Sequence, residues 1–212
     1  MPKAAPSCVG SLFIVTAPSG AGKTSLVKAL LAATADLEVS VSYTTRKPRP
    51  GEQDGAHYHF VDVPTFEGMI ARGVFLEHAK VFENYYGTSR ETVAEKLQHG
   101  VDLILEIDWQ GARQVRSFFP HAVGIFVLPP SRAVLEQRLR NRQTDSDDVI
   151  NRRLRDAVSD MSHHDEFEFV VINDDFERAL LDMRAVVIAQ RLRLSTSQRR
   201  LAPLLPDLLA QS

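Results

Sequence analysis

One stretch of the sequence decides the fold: Phe13-Ile14-Val15-Thr16-Ala17-Pro18-Ser19-Gly20-Ala21-Gly22-Lys23-Thr24. It begins with apolar and β-branched residues, which favour a buried strand, and continues with glycines, which favour a tight turn. After it, apolar residues recur at helical spacing at Leu26, Val27, Leu30 and Leu31. We therefore predict a strand, a glycine-rich turn and a helix, in that order.

The turn has the features of a phosphate-binding loop. Successive backbone N–H groups at a helix N-terminus, together with the helix dipole, bind negatively charged groups. Residues 17–24 match the P-loop pattern except at its first position, where Ala17 replaces glycine. In that pattern Lys23 contacts the β- and γ-phosphates and the Thr24 hydroxyl binds Mg²⁺. The alternative is an ordinary strand-turn-helix. Because Ala17 ends the strand, we expect its φ to be negative.

The composition is that of a globular protein long enough for one compact domain with insertions: 212 residues, of which 44% are hydrophobic and 25% charged. A net charge of −2 argues against a dedicated nucleic-acid-binding or membrane-surface protein. The single cysteine, Cys8, cannot form an internal disulfide, and no apolar run reaches the roughly 18 residues of a membrane span. We expect a soluble, cytoplasmic protein that binds neither nucleic acid nor membrane.

Hydrophobic periodicity extends the strand and helix pattern along the chain. Alternating or continuous apolar runs predict strands at 39–45, 55–61, 74–82, 101–108, 122–128 and 167–172. Helical spacing predicts helices between several of them, and one helix is expected to begin at a capping box, Thr88-Ser89-Arg90-Glu91. Strands that alternate with helices predict an α/β fold, with a mostly parallel sheet flanked by helices.

Carboxylates occupy unusual positions in two of these predicted strands. Glu77 lies alone in an apolar run, where burial is costly unless a partner compensates it; the alternative is that it faces water or meets an arginine. Glu106 and Asp108 end the strand at 101–108, where a period of two places them on one side, at the end of the sheet where ligands bind. Downstream of a P-loop, such an aspartate is expected to support Mg²⁺. The alternative is two charges at a strand terminus.

Cations are concentrated in two places. Residues 46–52 form a Pro- and Gly-rich loop with three cations, which is either an anion site or a solvated turn. A predicted helix carries Arg138 and Arg142 four residues apart on one face, and the next carries Arg152, Arg153 and Arg155. These helices are either a salt-bridged surface hairpin or a set of cations that close over a transferring phosphoryl group.

Together these segments resemble the guanylate kinase family, in the family's order and from about Leu12 to Arg191. The motifs that carry the resemblance are Ala-Pro-Ser-Gly-Ala-Gly-Lys-Thr at 17–24, Ser-Tyr-Thr-Thr-Arg-Lys-Pro-Arg-Pro-Gly-Glu at 42–52, Phe-Leu-Glu-His-Ala at 75–79, Asn-Tyr-Tyr-Gly-Thr at 84–88, Glu-Ile-Asp-Trp-Gln-Gly at 106–111 and Asn-Asp-Asp at 173–175. The resemblance implies a P-loop core at 1–38, 91–130 and 156–212, a GMP-binding insertion at 39–90 and a lid at 131–155, within a domain of about 10–191.

The resemblance also implies site residues. ATP would be bound by Ala17, Pro18, Ser19, Gly20, Ala21, Gly22, Lys23 and Thr24, with Asn173 near the adenine. The GMP phosphate would be bound by Arg46, Arg49, Tyr58 and Tyr86, and the guanine by Ser42, Glu77, Thr88 and Glu106. Catalytic charge would come from Lys23, Arg46, Arg138, Arg142 and Arg153. Mg²⁺ would be held by Thr24 and Asp108, the latter directly or through water. Two departures from the family pattern are Ala17, in place of glycine, and Glu106, in place of the usual aspartate.

The implied reaction is ATP-dependent phosphorylation of GMP and dGMP, in purine nucleotide metabolism. Guanine offers donors at N1 and N2 to carboxylates such as Glu77 and Glu106, whereas adenine presents an acceptor at N1 and would be rejected. A phosphate monoester is mostly dianionic at neutral pH, so the reaction needs no base. The alternatives are an inactive module of this family that binds phosphorylated peptides and a kinase of the same shape that acts on a phosphorylated sugar. Nothing in the sequence decides the oligomeric state.

Overall fold

The computed structural model describes residues 10–81, 83–141 and 146–210, apart from the side chains of residues 199 and 200. The strands are β1 Leu12–Thr16, β2 Leu37–Val39, β3 Tyr43–Thr44, β4 His59–Phe60, β5 Phe75–Val81, β6 Asn84–Ser89, β7 Asp102–Glu106, β8 Val123–Leu128 and β9 Phe169–Ile172. The helices are α1 Lys23–Ala33, α2 Val63–Ala71, α3 Arg90–Gln98, α4 Trp109–Phe118, α5 Arg132–Arg140, α6 Asp147–Met161, α7 Phe176–Leu192, α8 Leu194–Leu201 and α9 Leu205–Leu208. Cys8 and Arg142 lie outside the described residues.

The larger sheet has five strands in the order β2-β7-β1-β8-β9, and each neighbouring pair is parallel. Every residue of β1 is buried, as expected for a central strand covered on both faces. The carboxyl ends of parallel strands lie along one edge, so the P-loop that follows β1 and the acid that ends β7 are brought to the same edge. The predicted α/β fold with a mostly parallel sheet flanked by helices is confirmed.

Helices cover the two faces of this sheet and create two apolar clusters. One cluster joins β1 and β8 to α1 and α7, and includes Phe13, Leu26 and Met183. The other joins β1 and β7 to α3 and α4, and includes Ile14, Val93 and Val115. Full burial of each large apolar side chain contributes about 1.5–3 kcal/mol, so these clusters hold the strand ends and helix starts in fixed positions. No helix in the described residues is both long and apolar enough to span a membrane.

A second sheet, in the order β4-β3-β6-β5, lies within the range 39–90. Strands β5 and β6 form an antiparallel pair with a register shift between Phe75 and Glu77. Around the shift, neighbouring side chains enter different surroundings: Phe75 packs with Phe66 and Met69 in a small cluster of its own, whereas Leu76 packs into the cluster beneath α4. The strand is therefore attached both to the small sheet and to the core.

The structure corrects several local predictions. The strand expected at 39–45 is wrong as one element, because its halves pair in different sheets: β2 with β7, and β3 with β4 and β6. The strand expected at 55–61 is reduced to β4, since Gly55 has a positive φ of 75°. The helix cap expected at Thr88 is wrong, because Ser89 accepts from the backbone N–H of Thr92. Strand β6 is not among the strands that the sequence predicts.

Candidate active site

The turn between β1 and α1 has the backbone of a phosphate-binding loop. Gly20 and Gly22 have φ values of 92° and 97°, in the left-handed region that favours glycine, and Gly22 precedes α1 directly. A Cβ at Gly22 would also clash with Asn173 Nδ2. Among the described non-glycine residues, Asp36 is the one with a positive φ. Ala17 therefore has a negative φ, as expected. Alanine at the first motif position therefore causes no backbone strain.

Two predicted site residues support this loop through one carbonyl. Asn173, which is 4% exposed, donates from Nδ2 to the backbone oxygen of Ala21 at 2.7 Å. Arg138 on α5 donates to the same oxygen at 3.3 Å and to the backbone oxygen of Asn173 at 3.0 Å. The structure therefore joins the P-loop to the end of β9 and to α5. That Asn173 contacts adenine and that Arg138 contacts phosphate both stay predictions.

Lys23 and Thr24 begin α1 and face acidic side chains. Desolvation lowers the pKa of Lys23, and the carboxylates of Glu106, Asp108 and Asp160 act in the opposite direction. The Thr24 hydroxyl donates to Glu106 Oε2 at 3.1 Å. No group of three or more His, Cys, Asp or Glu side chains in the described segments is arranged to hold a metal ion. A hydroxyl beside one carboxylate nevertheless fits Mg²⁺ in a phosphate site, where one or two protein oxygens suffice.

The two acids of the predicted strand, Glu106 and Asp108, belong to different elements of the structure. Strand β7 stops at Glu106, whereas Asp108 caps α4 by accepting from the backbone N–H of Gly111 at 2.7 Å. The prediction of a strand up to Asp108 is therefore wrong, and the argument that a period of two places both acids on one side does not apply. Glu106 contacts Thr24 and its charge acts on Lys23, whereas the charge of Asp108 acts on both Lys23 and Glu77.

Glu77 is a buried carboxylate with a defined partner. It is 5% exposed, and its Oε1 accepts from the Thr88 hydroxyl at 2.6 Å. The Thr88 hydroxyl also lies 3.2 Å from that of Ser42, so Ser42, Glu77 and Thr88 are brought together as predicted. Burial raises the pKa of Glu77 to about 7; the charge of Asp108 adds to this effect, and the hydrogen bond from Thr88 opposes it. The alternatives in which Glu77 faces water or an arginine do not hold.

The cationic loop is organised around Arg46. Its guanidinium lies 5.4 Å from the ring centre of Tyr58, and the Tyr58 and Tyr86 rings are 6.0 Å apart. Glu52 forms a forked pair with Arg46 at 2.8 and 3.0 Å, and this hydrogen-bonded pair lowers the pKa of Glu52 to about 2. Arg49 is exposed, and its backbone N–H donates to Glu52 at 2.7 Å. Three of the four predicted phosphate ligands are thus neighbours, and the fourth belongs to the same turn.

Arg153, which the resemblance makes a catalytic residue, lies on helix α6, is half-buried and makes interactions of its own. Three further residues make contacts that their sequence context did not predict: Glu52, Gly111 and Gln114. An acid three residues after Arg49 and a glycine in the first turn after Asp108 are weak sequence signals. Gln114 offers none, because its partner is the backbone of His78 in another element.

A glycine-rich loop at the edge of a parallel sheet, with a cationic loop and a buried acid in a second sheet, defines a P-loop nucleotide-binding protein. A family model described as guanylate kinase matches residues 10–190. The chain belongs to the guanylate kinase family.

Individual relatives agree with this assignment. The guanylate kinase of Chromohalobacter salexigens is 59% identical over 206 residues, which cover 97% of this chain and 96% of the relative. That of Escherichia coli K12 is 53% identical over 203 residues, with 95% and 98% covered. Among solved structures, the guanylate kinase of Anaplasma phagocytophilum superimposes with a TM-score of 0.74 at 31% identity, covering 92% of this chain and 94% of that one.

Proposed function

We propose that this chain transfers the γ-phosphoryl group of ATP to GMP or dGMP, releasing ADP and GDP or dGDP, and that it works in the cytoplasm. One observation carries the proposal: within a chain of the guanylate kinase family, the Glu77 carboxylate is buried and accepts from the Thr88 hydroxyl at Oε1. A buried acceptor of this kind suits a base that offers N–H donors.

The donor half of the site is built on the P-loop. The backbone N–H groups of residues 17–24 would hold the phosphates, and Lys23 would contact the β- and γ-phosphates as a point charge. Magnesium, when bound, neutralises charge on these phosphates. We assign its protein oxygens to Thr24 and Glu106, since these two side chains already contact each other at 3.1 Å. In this assignment Glu106, and not Asp108, is the acidic ligand of Mg²⁺, and Glu106 is no longer counted among the residues that bind guanine.

The acceptor half recognises guanine at one end and phosphate at the other. Guanine N1–H and N2–H₂ would donate to Glu77, with Asp108 as the second acceptor because its charge already acts on Glu77. Adenine would oppose these oxygens with an acceptor and leave them unpaired, which costs several kcal/mol in a buried site. At the other end, Arg46, Arg49, Tyr58 and Tyr86 would hold the GMP phosphate.

The chemical step needs alignment and positive charge more than a base, because the GMP phosphate is already a nucleophilic dianion. Lys23 would neutralise charge on the ATP phosphates, and Arg46 would neutralise charge on the GMP phosphate. The lid arginines would close over the transferring group; they are Arg138, Arg142 and Arg153. Arg138 now binds the carbonyls of Ala21 and Asn173, so it would exchange these partners for phosphate oxygens. We propose that nucleotides draw the lid, 131–155, and the insertion, 39–90, toward the core.

A coupled assay of ADP release tests the proposal, with GMP, dGMP, AMP and a ribose bisphosphate as separate acceptors. GMP and dGMP should be turned over, and AMP should be rejected by at least about a hundredfold in kcat/KM. Turnover of the ribose bisphosphate without turnover of GMP would assign the fold to a sugar phosphate. The absence of turnover with every acceptor, together with binding of a phosphorylated peptide, would indicate an inactive module.

A further inference from the structure

Strand β5 has an outer edge that a side chain covers. It is the last strand of the smaller sheet, and His78 pairs on its inner side with Gly87 of β6. On the outer side, the His78 N–H donates to Gln114 Oε1 at 3.1 Å, and Gln114 Nε2 donates to the His78 carbonyl at 3.2 Å. The side-chain amide of Gln114 thus takes the place that a peptide group of another strand would occupy.

This pair of hydrogen bonds fixes the position of the residue before it. Glu77 immediately precedes His78, and a strand whose N–H and C=O are both held cannot slide or rotate at that point. The Glu77 carboxylate accepts from the hydroxyl of Thr88 on the neighbouring strand, and the backbone of Thr88 also hydrogen-bonds to it. The carboxylate is thus tied to β6 on one side, and its position also depends on how β5 is held at its outer edge.

Helix α4 presents three of its residues to β5 at a spacing of three. Asp108 caps the helix, Gly111 lies in its first turn, and Gln114 lies one turn further on, so all three share one face. A Cβ at Gly111 would be 3.2 Å from Glu77 Oε2 and 3.4 Å from Asp108 Oδ1. The helix that carries Asp108 thus approaches Glu77 closely, and Gln114 holds the two elements at that separation.

We propose that Gln114 is a positioning residue for guanine specificity: by binding the backbone of His78 it sets Glu77 against Asp108, so that the two carboxylates meet the N1 and N2 donors of one base. The proposal rests on the function proposed above. It ties the guanine end of the site to α4 through β5. Gln114 does not touch substrate and acts through Glu77.

The test compares Gln114→Met, which keeps the length of the side chain but removes both hydrogen bonds, with Gln98→Met at an exposed glutamine that ends α3. Gln114→Met should raise KM for GMP roughly tenfold, the scale of one or two lost hydrogen bonds, and leave KM for ATP unchanged. The ratio of kcat/KM for GMP to that for AMP should fall. Gln98→Met should match the wild type.

A double-mutant cycle separates positioning from a structural role. In the Glu77→Gln background, Gln114→Met should raise KM for GMP less than twofold further, because the residue it positions has already lost its function. Additive effects, equal changes in both KM values, or no change in KM for GMP would each overturn the proposal. If Gln114→Met folds poorly, the same measurements are made on Gln114→Ser, whose side chain is too short to form these hydrogen bonds. If the wild-type enzyme does not turn over GMP, the proposed function itself is refuted, whatever the Gln114 variants show.

Discussion

Replacing Glu77 by glutamine should stabilise the protein while damaging its recognition of guanine. Glu77 is buried, and burial raises its pKa from the ordinary value of 4.5 to about 7. The folded state therefore favours the protonated carboxyl, and the unfolded state ionises first as the pH rises. Glutamine keeps an oxygen that can accept from Thr88 and never ionises, so it removes this penalty.

The magnitude follows from the two pKa values. A rise from 4.5 to about 7 corresponds to about 3 kcal/mol, because each pH unit between them contributes about 1.4 kcal/mol. The favourable contribution of the protonated form is complete below pH 4.5 and is lost as the pH rises through 7. The stability difference between Glu77→Gln and wild type should therefore be small at pH 4 and grow to about 3 kcal/mol in favour of the variant at pH 8.

Urea unfolding of both proteins between pH 4 and pH 8 measures this difference directly. Glu95→Gln, at an exposed position of α3, provides the matched control and should follow the wild-type curve at every pH. In the ADP-release assay, Glu77→Gln should lose discrimination between GMP and AMP while KM for ATP stays constant. If the unfolding free energies of Glu77→Gln and wild type run parallel across this pH range, the burial argument for Glu77 is refuted.

Three further substitutions probe other parts of the site. Lys23→Ala should lower kcat at least about a hundredfold with the fold retained, as judged by circular dichroism, and near-normal kcat would mean that the phosphate site is misplaced. Gly111→Ala should raise KM for GMP severalfold, because its Cβ would displace Glu77, whereas Gly68→Ala in α2, where a Cβ would meet only the flexible end of a side chain at 3.4 Å, should leave KM unchanged. Asn173→Ala should raise KM for ATP severalfold by releasing the P-loop carbonyl, and a change confined to KM for GMP would contradict this.

The core of the fold could be predicted from the sequence because its signals are local. A continuous apolar run such as 122–128 forms a strand buried on both faces, and a glycine turn followed by helical spacing leaves few other structures. The smaller sheet gave weaker signals, because β3 and β4 have two residues each and exist only through pairing with partners from elsewhere in the chain. Strands this short cannot be located by periodicity.

In the site, too, some features could be predicted from the sequence and others could not. Ser42, Glu77 and Thr88 were grouped correctly through family motifs, and the structure gives the hydrogen bonds that join them. That Glu106 ends β7 while Asp108 caps α4 could not be predicted, because such boundaries are uncertain by a few residues from sequence alone. A contact between a side chain and a distant backbone, as at His78, leaves no pattern at all.

The register shift in β5 limits how this enzyme can change during evolution. Between the shift and the contact at His78, consecutive residues serve the small apolar cluster, the main core and the buried hydrogen bond between Glu77 and Thr88. A deletion or insertion of one residue would move each side chain into the place of its neighbour. Depending on the direction, either Glu77 would enter the core position of Leu76, or Leu76 would take the buried position of Glu77 beside Thr88. Length variation should therefore be tolerated at the turn near Gly73, whose positive φ and open surroundings mark a bend, and eliminated between Phe75 and His78.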